Sequence, residues 1–197
     1  MLPIADTFEH GYRGCDILYG RGRAGELSAI LAERGLGDAL VVCGSNVGAN
    51  DDLMDPIREG LGERLAGVFD GTTPDKRVET AYDLLEKRDE AGADALVAVG
   101  GGSSLDVARQ AAMLDVDGRD LAELRADAAD GPDALGSLAP GADPALPVAV
   151  IPTTFAGADL STGGSLEVLP ADKSPTGQPL TVSGDGPMPV VDLADPA

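Results

Sequence analysis

Three consecutive glycines, Gly100, Gly101 and Gly102, lie between an apolar run and a helix-like stretch in the sequence VAVGGGSSLDVARQ. Glycines let a ligand approach the backbone closely, and the free amides at the start of a helix attract an anion. Ser103 adds a hydroxyl donor, or caps the helix where nothing is bound. We predict that this turn holds a phosphate; the alternative is a tight strand-to-helix turn with a serine cap. The spacing is not GxGxxG, so a standard Rossmann fingerprint is not predicted.

The elements that must position this turn alternate between apolar runs and helical stretches from Ile17 to Val150. Runs such as DALVVCG and ADALVAVG are uninterrupted, which is typical of strands buried on both faces of a parallel sheet. The pattern predicts one α/β domain over residues 1–197, a Rossmann-like parallel sheet with helices on both faces. Ligands bind such sheets at the carboxyl ends of the strands, where the three glycines fall.

Boundaries between the predicted elements follow from periodicity, glycine and proline. The spacing predicts helices over 50–67 and 74–92, with Pro74 near the start of the second. The segment from Asp127 to Pro147 is rich in Gly, Pro, Ala and Asp and predicts a surface loop. Beyond Pro170 we expect few strands before the run MPVVDL.

Charge and composition exclude several classes of partner. The chain has 34 acidic and 14 basic residues, a net charge of −20 that is spread along its whole length, as on proteins from a salt-loving cytoplasm. Without a basic stripe, neither nucleic acid nor an anionic membrane is an expected partner. No apolar run approaches the roughly 18 to 20 residues of a membrane span, so we expect a soluble, cytoplasmic protein.

Cys15 and Cys43 do not have the spacing of metal ligands, and we expect both to be buried. We expect the lone His10 to have no role in chemistry.

Two motifs resemble the signatures of a known family. GGGSSLDVAR resembles the GGGSxxDxAK signature of the iron-containing, or group III, alcohol dehydrogenases. IPTTFAGADLS resembles the family's PTTxGTGSE signature, and more closely the PTTYAGSE variant of maleylacetate reductases. The entry YGRG, the segment FDGTTPD and the final VVDLADP agree with the same family, so the resemblance covers essentially the whole chain.

The resemblance implies that this domain binds a nicotinamide dinucleotide. The matching positions are Gly101, Gly102 and Ser103 at the pyrophosphate, Asp106 near the nicotinamide, Thr153 and Thr154 in the cofactor cleft, Ser161 just downstream, and Lys173 at a cofactor-contacting lysine. Alternatively, Asp106 is an acidic surface residue, or a first-turn carboxylate that stabilises the helix dipole. Lys173 has the alternative reading of a solvated loop charge.

The choice between NADP and NAD depends on the end of the second strand. NAD-preferring members often carry an aspartate there for the adenosine ribose, whereas this chain has Gly44, followed by Ser45 and Asn46. Without a carboxylate, small polar residues can donate to a 2′-phosphate, which favours NADP over NAD. Gly44 can also be simply a turn glycine. In the second motif Ala158 and Asp159 depart from the family pattern, which reshapes the nicotinamide pocket.

Family members are longer, and their second, all-helical domain supplies an aspartate and histidines to a divalent metal, iron or zinc, that polarises the substrate. His10 alone cannot build such a site, so we expect no metal ligands and no catalytic residues within residues 1–197. We expect the metal-binding helical domain to be missing from this chain. Either the chain is truncated, or a separate subunit supplies that domain. A cofactor-binding domain on its own would expose the face that contacts the helical domain in other family members. Such exposure favours a partner or a homo-oligomer.

Three functions remain open from the sequence. The first is the cofactor-binding portion of an alcohol dehydrogenase-type oxidoreductase acting on an alcohol, aldehyde or ketone. The second is a free-standing dinucleotide-binding module without redox chemistry. The third is a sister branch, resembling glycerol-1-phosphate dehydrogenase or dehydroquinate synthase, which is disfavoured because those proteins tend to carry a lysine where this chain has Ser103.

Overall fold

The computed structural model describes residues 7–155 and 157–196, which form two β-sheets and their surrounding helices. The strands are β1 Thr7–Tyr12, β2 Cys15–Gly20, β3 Ala39–Val42, β4 Leu65–Phe69, β5 Ala95–Gly100, β6 Val148–Pro152, β7 Leu166–Leu169, β8 Leu180–Val182 and β9 Val191–Ala194. Seven of them form the main sheet in the order β1-β2-β9-β6-β5-β3-β4, and β7 and β8 form a separate antiparallel pair. Only the β1–β2 pairing in the main sheet is antiparallel.

Helices connect these strands and cover both faces of the main sheet. They are α1 Leu27–Glu33, α2 Ser45–Gly48, α3 Asp51–Leu61, α4 Val78–Ala91, α5 Gly102–Asp117, α6 Leu121–Asp130 and α7 Pro132–Leu135, with 3-10 turns at Arg23–Glu26 and Gly62–Arg64. Each parallel pair of strands needs such a crossover, because a short turn cannot return the chain to the same end of the sheet.

Two apolar cores lie on opposite faces of the sheet. Side chains alternate between the faces along each strand, so Leu96 belongs to the core that contains residues of α4, α5 and α6, while its neighbour Val97 belongs to the core that contains residues of α1 and α3. The central strands β3 and β5 are buried at every position, which explains why they read as continuous apolar runs. The structure therefore confirms the predicted α/β fold with a mostly parallel sheet and helices on both faces.

Two predicted helix boundaries are wrong. The helix predicted over 50–67 ends at Leu61, because Gly62 takes a φ of 55° and β4 already begins at Leu65. The helix predicted from Pro74 begins only at Val78, with Pro74 in the preceding turn.

The predicted surface loop from Asp127 to Pro147 is also wrong in its first part. It contains the end of α6 and all of α7. A capping box begins α6, in which the Asp120 side chain accepts from the Glu123 amide and the Glu123 side chain accepts from the Asp120 amide. Pro132 stands in the first turn of α7, where the missing proline N–H costs no helical hydrogen bond.

Both cysteines are buried and free, as predicted. Burial raises the pKa of Cys15 to about 12 and that of Cys43 to about 11, so both thiols stay neutral at physiological pH. Over residues 7–155 and 157–196, none of the helices combines the length and apolar character that crossing a membrane requires.

The helix α3 lies so close to the first 3-10 turn that a side chain does not fit between them. A Cβ on Gly60 would overlap the main-chain carbonyl of Ala24. We expect Gly60→Ala to lower the free energy of unfolding by about 1–3 kcal/mol, although alanine favours a helix over glycine, because the overlap forces the two segments apart. Urea denaturation measures the change.

Gly25→Ala is the matched control, because a Cβ at Gly25 meets no atom within 4 Å and the residue lies in the same contact region. It should change stability by no more than about 0.5 kcal/mol. Equal stability of the two variants would contradict the close contact.

Candidate functional site at the carboxyl edge of the sheet

The three glycines form the turn between β5 and α5. Gly100 has a φ of 140°, a conformation that side-chain-bearing residues rarely adopt, and Gly101 is the extended residue just before the helix. No side chain caps this helix, which excludes the serine-cap alternative. Within the described part of the chain, the amides of Gly101, Gly102 and Ser103 donate to no protein acceptor. Donors at the start of a sixteen-residue helix are suited to an anion.

The strand β6 brings the predicted threonines beside the glycine turn. The Thr153 amide donates to the Gly100 carbonyl at 2.9 Å, which continues the pairing of β6 with β5. A Cβ at Gly101 would lie 3.5 Å from the Thr154 side chain, and one at Gly102 would lie 3.5 Å from the Ala158 Cβ. The segment after β6 therefore borders the turn, and Thr154 remains exposed above it.

The predicted adenosine-side residues are connected to the turn through Thr72. The buried hydroxyls of Thr72 and Ser104 are 2.8 Å apart. Gly44 pairs with Gly71, and a Cβ at Gly44 would lie 3.1 Å from the Thr72 carbonyl. Ser45 and Asn46 follow directly as the first residues of α2. The ends of β3 and β4 are thus held against the first turn of α5.

Asp106 belongs to a charged group that sequence reasoning left unassigned. Its carboxylate accepts from Lys76 Nζ at 3.0 Å and from Arg109 Nη2 at 2.9 Å, so it is not an unpaired surface acid. Arg109 is fully buried and also donates to the main-chain oxygens of Ala158, at 2.6 Å, and Gly163, at 3.3 Å. Burial lowers the pKa of Arg109, and Asp106 opposes that shift.

These bonds attach a segment that we call the 157–164 loop to the helix α5. Gly164 packs on Asp106, where a Cβ would lie 3.2 Å from the carboxylate. The predicted Ser161 lies in this loop, and its hydroxyl accepts from the Gly163 amide at 2.9 Å. Ser161 therefore shapes the loop beside the site. A charged residue inside the otherwise apolar helix face of α5 is the sequence signal that marks Arg109.

The predicted Lys173 is not brought to the glycine turn by any described contact. It lies exposed in the turn between β7 and β8, and in the described part of the chain its side chain makes no hydrogen bond or ion pair. Its role as a cofactor contact stays a prediction.

Two neighbouring carboxyl groups connect β9 with the 157–164 loop, the buried Asp192 and the partly buried Asp159. Asp192, on β9, is 3 % exposed, and its Oδ1 has no hydrogen-bond partner among the described residues. Burial, together with the charge of the neighbouring Asp159 carboxylate and a hydrogen bond with its side chain, raises the pKa of Asp192 to about 7. The acid within the apolar run VVDLA is the signal for this pair.

Among residues 7–155 and 157–196, no three His, Cys, Asp or Glu side chains come together in an arrangement that could hold a metal ion. The family resemblance implies a divalent metal, and the donor set described here does not fit one.

The fold and the site together define an α/β domain in which a glycine turn, whose main-chain amides have no acceptor among the described residues, lies at the carboxyl edge of a mostly parallel sheet. Residues 15–196 match the iron-containing alcohol dehydrogenase family, and the chain belongs to that family as its N-terminal portion. This confirms the resemblance of the two sequence motifs.

Individual relatives agree with this membership. The lactaldehyde reductase of Escherichia coli K12 is 30 % identical over 143 residues, which cover 69 % of this chain and 34 % of the relative. Maleylacetate reductase 1 of Cupriavidus pinatubonensis is 27 % identical over 160 residues, which cover 79 % and 35 %. The solved sulfoacetaldehyde reductase of Bifidobacterium kashiwanohense, in complex with NAD+, superposes with a TM-score of 0.73 at 23 % identity over 96 % of this chain and 46 % of its own. The chain thus spans about a third of the length of these curated relatives.

The raised pKa of Asp192 predicts a pH-dependent stability. The folded state keeps this proton between the ordinary pKa of 3.8 and about 7, whereas the unfolded state loses it. The contribution of neutral Asp192 is therefore complete below pH 3.8 and is lost as the pH rises through about 7. Asp192→Asn should be more stable relative to the unsubstituted chain at pH 8 than at pH 5, as measured by thermal unfolding.

Asp172→Asn serves as the control, because it is the same chemical substitution at an exposed turn residue. Its stability difference should be the same at both pH values. A pH-independent difference for Asp192→Asn would contradict the raised pKa.

Proposed function

We propose that this chain binds a nicotinamide dinucleotide, with the pyrophosphate on the glycine turn, and serves as the cofactor-binding portion of an alcohol dehydrogenase-type oxidoreductase. The observation that carries the proposal is the set of three main-chain amides, at Gly101, Gly102 and Ser103, that have no acceptor in the described protein and no Cβ in front of the first two. A pyrophosphate supplies the acceptor oxygens that these donors lack.

The surroundings of the turn fit the rest of a dinucleotide. The strands β3, β5 and β6 are neighbours, so their carboxyl ends span about 10 Å across the sheet edge. The Gly44–Asn46 segment at one side would take the adenosine ribose, and Thr153 and Thr154 at the other would line the path to the nicotinamide. The NAD+ bound in the solved sulfoacetaldehyde reductase supports this class of ligand.

NADP is the cofactor that the adenosine side favours over NAD. Gly44 presents no carboxylate that would repel a 2′-phosphate, and the hydroxyl of Ser45 and the amide of Asn46 can donate to one. A Cβ at Gly44 would lie close to the Thr72 carbonyl. This also supports the alternative that Gly44 is a turn glycine with no part in the choice of cofactor.

The proposed reaction is hydride transfer between the nicotinamide and a small alcohol, aldehyde or ketone, as in the named activities of the lactaldehyde and maleylacetate reductases. In the complete enzyme a divalent metal, iron or zinc, would polarise the substrate oxygen. We propose that a helical domain or separate subunit outside these 197 residues supplies its ligands, since the described residues bring no such set together. The present chain would contribute cofactor binding and orientation.

A substitution in the glycine turn tests the proposal directly. A Cβ at Gly102 makes only ordinary contact with Ala158, so Gly102→Val should fold normally. The added side chain fills the space that the pyrophosphate needs, and the affinity for NADPH should fall about tenfold or more. Fluorescence titration with NADPH and NADH in high salt measures both affinities.

Gly11→Val, on the exposed strand β1, is the matched control, because its Cβ meets no atom within 4 Å. It should bind NADPH as the unsubstituted chain does. Unchanged affinity in Gly102→Val, or no binding by the unsubstituted chain, would refute the proposed function.

A second substitution tests the choice of cofactor. Gly44→Asp places a carboxylate at the adenosine side and should weaken NADPH binding relative to NADH by about tenfold, through repulsion of the 2′-phosphate. Gly44→Ala adds the same Cβ beside Thr72 without the charge, so it separates crowding from electrostatics. An equal loss for both cofactors in both variants would remove Gly44 from cofactor selection.

A further inference from the structure

Lys76 is bonded to the helix that begins at the glycine turn, although nothing in the sequence motifs assigns it a role. It belongs to the loop after β4, where its main chain is fixed on both sides: its amide donates to Thr73 at 3.1 Å, and its carbonyl accepts from Glu167 at 2.9 Å. The side chain then crosses to α5, where Nζ lies 3.0 Å from Asp106 Oδ2.

Helix geometry places this ammonium near the free amides. Asp106 is four residues after Gly102, about 6 Å along the axis. Side chains on a helix lean toward its N-terminus, so the Asp106 carboxylate and the Lys76 ammonium lie over the first turn of α5.

The two cations on Asp106 differ in their freedom to bind anything else. Arg109 is fully buried and already donates to Asp106 and to two main-chain carbonyls. Lys76 has only Asp106 as a described side-chain partner, and 28 % of its side chain is exposed. An ammonium has three donors on a flexible stem, so Lys76 can keep Asp106 and take a second anion.

Electrostatics require such a cation. A carboxylate beside the turn would repel a pyrophosphate, and the chain as a whole carries a net charge of −20. Lys76 and Arg109 together balance the charges of Asp106 and of the nearby Asp159, so this group carries no net negative charge toward the turn. The other lysines lie elsewhere: Lys87 is on α4 with Glu90, and Lys173 is in the β7–β8 turn.

We propose that Lys76 binds a phosphate oxygen of the dinucleotide's pyrophosphate, and that Asp106 is the positioning residue that aims it. This inference rests on the proposed function and names a residue of the same site. It assigns to Lys76 the cationic contact that the sequence placed at Lys173, and it gives Asp106 a role other than contact with the nicotinamide end.

The test compares Lys76→Met, Lys76→Arg and Asp106→Asn by titration with NADH and with ADP-ribose, which shares the pyrophosphate but lacks the nicotinamide. Lys76→Met should lower the affinities for both probes by the same factor, about 10- to 100-fold, because a charge-assisted hydrogen bond to the shared phosphate is lost. Lys76→Arg should restore most of the affinity for both. Asp106→Asn should lose less than Lys76→Met, because the ammonium remains and a repelling carboxylate is gone.

Lys87→Met removes the same charge elsewhere, on α4, and should leave both affinities unchanged. Three results would overturn the inference: unchanged binding in Lys76→Met, a loss for NADH but not for ADP-ribose, or a loss in Asp106→Asn at least as large as in Lys76→Met. If the unsubstituted chain binds neither of these probes nor NADPH, the proposed function itself fails, which is a distinguishable outcome.

Discussion

The start of α5 imposes one constraint on the carboxyl edge of the sheet: three main-chain amides need an acceptor and have none within the described protein. A helix start left in this way at the end of a buried strand is costly unless water or a ligand satisfies it. The neighbouring elements leave room for that acceptor, because even a Cβ at Gly101 or Gly102 would be in no more than ordinary contact with Thr154 or Ala158. The free hydrogen-bond donors of this turn thus belong to the backbone and to no side chain.

Side chains that never reach the turn hold this arrangement in place. The Thr72–Ser104 hydrogen bond fixes the loop after β4, and the bonds of Arg109 fix the 157–164 loop. These hydrogen bonds join buried or partly buried atoms, where water does not readily replace them. Because these contacts join segments from β4, β6 and α5, the edge of the sheet behaves as one preorganised surface.

Local patterns predicted the fold and the glycine turn well, and predicted the charged groups poorly. Runs such as ADALVAVG identify a buried strand because every position faces a core, and the turn is visible because Gly100 needs a φ that other residues avoid. Lys76 and Asp106 are thirty residues apart, and Asp159 pairs with a residue on β9, so no local spacing reveals them. The exposed strand β1 and the helix α7 were missed because short elements with little burial carry no clear periodicity.

The way in which Arg109 holds the 157–164 loop has a consequence for divergence. It recognises the carbonyl oxygens of Ala158 and Gly163, and every amino acid carries that oxygen. Substitutions along the loop can therefore alter the shape and polarity of the adjoining pocket without detaching it from the helix. An attachment that does not depend on side-chain identity leaves this segment open to evolutionary change, while the glycine turn beside it stays the same.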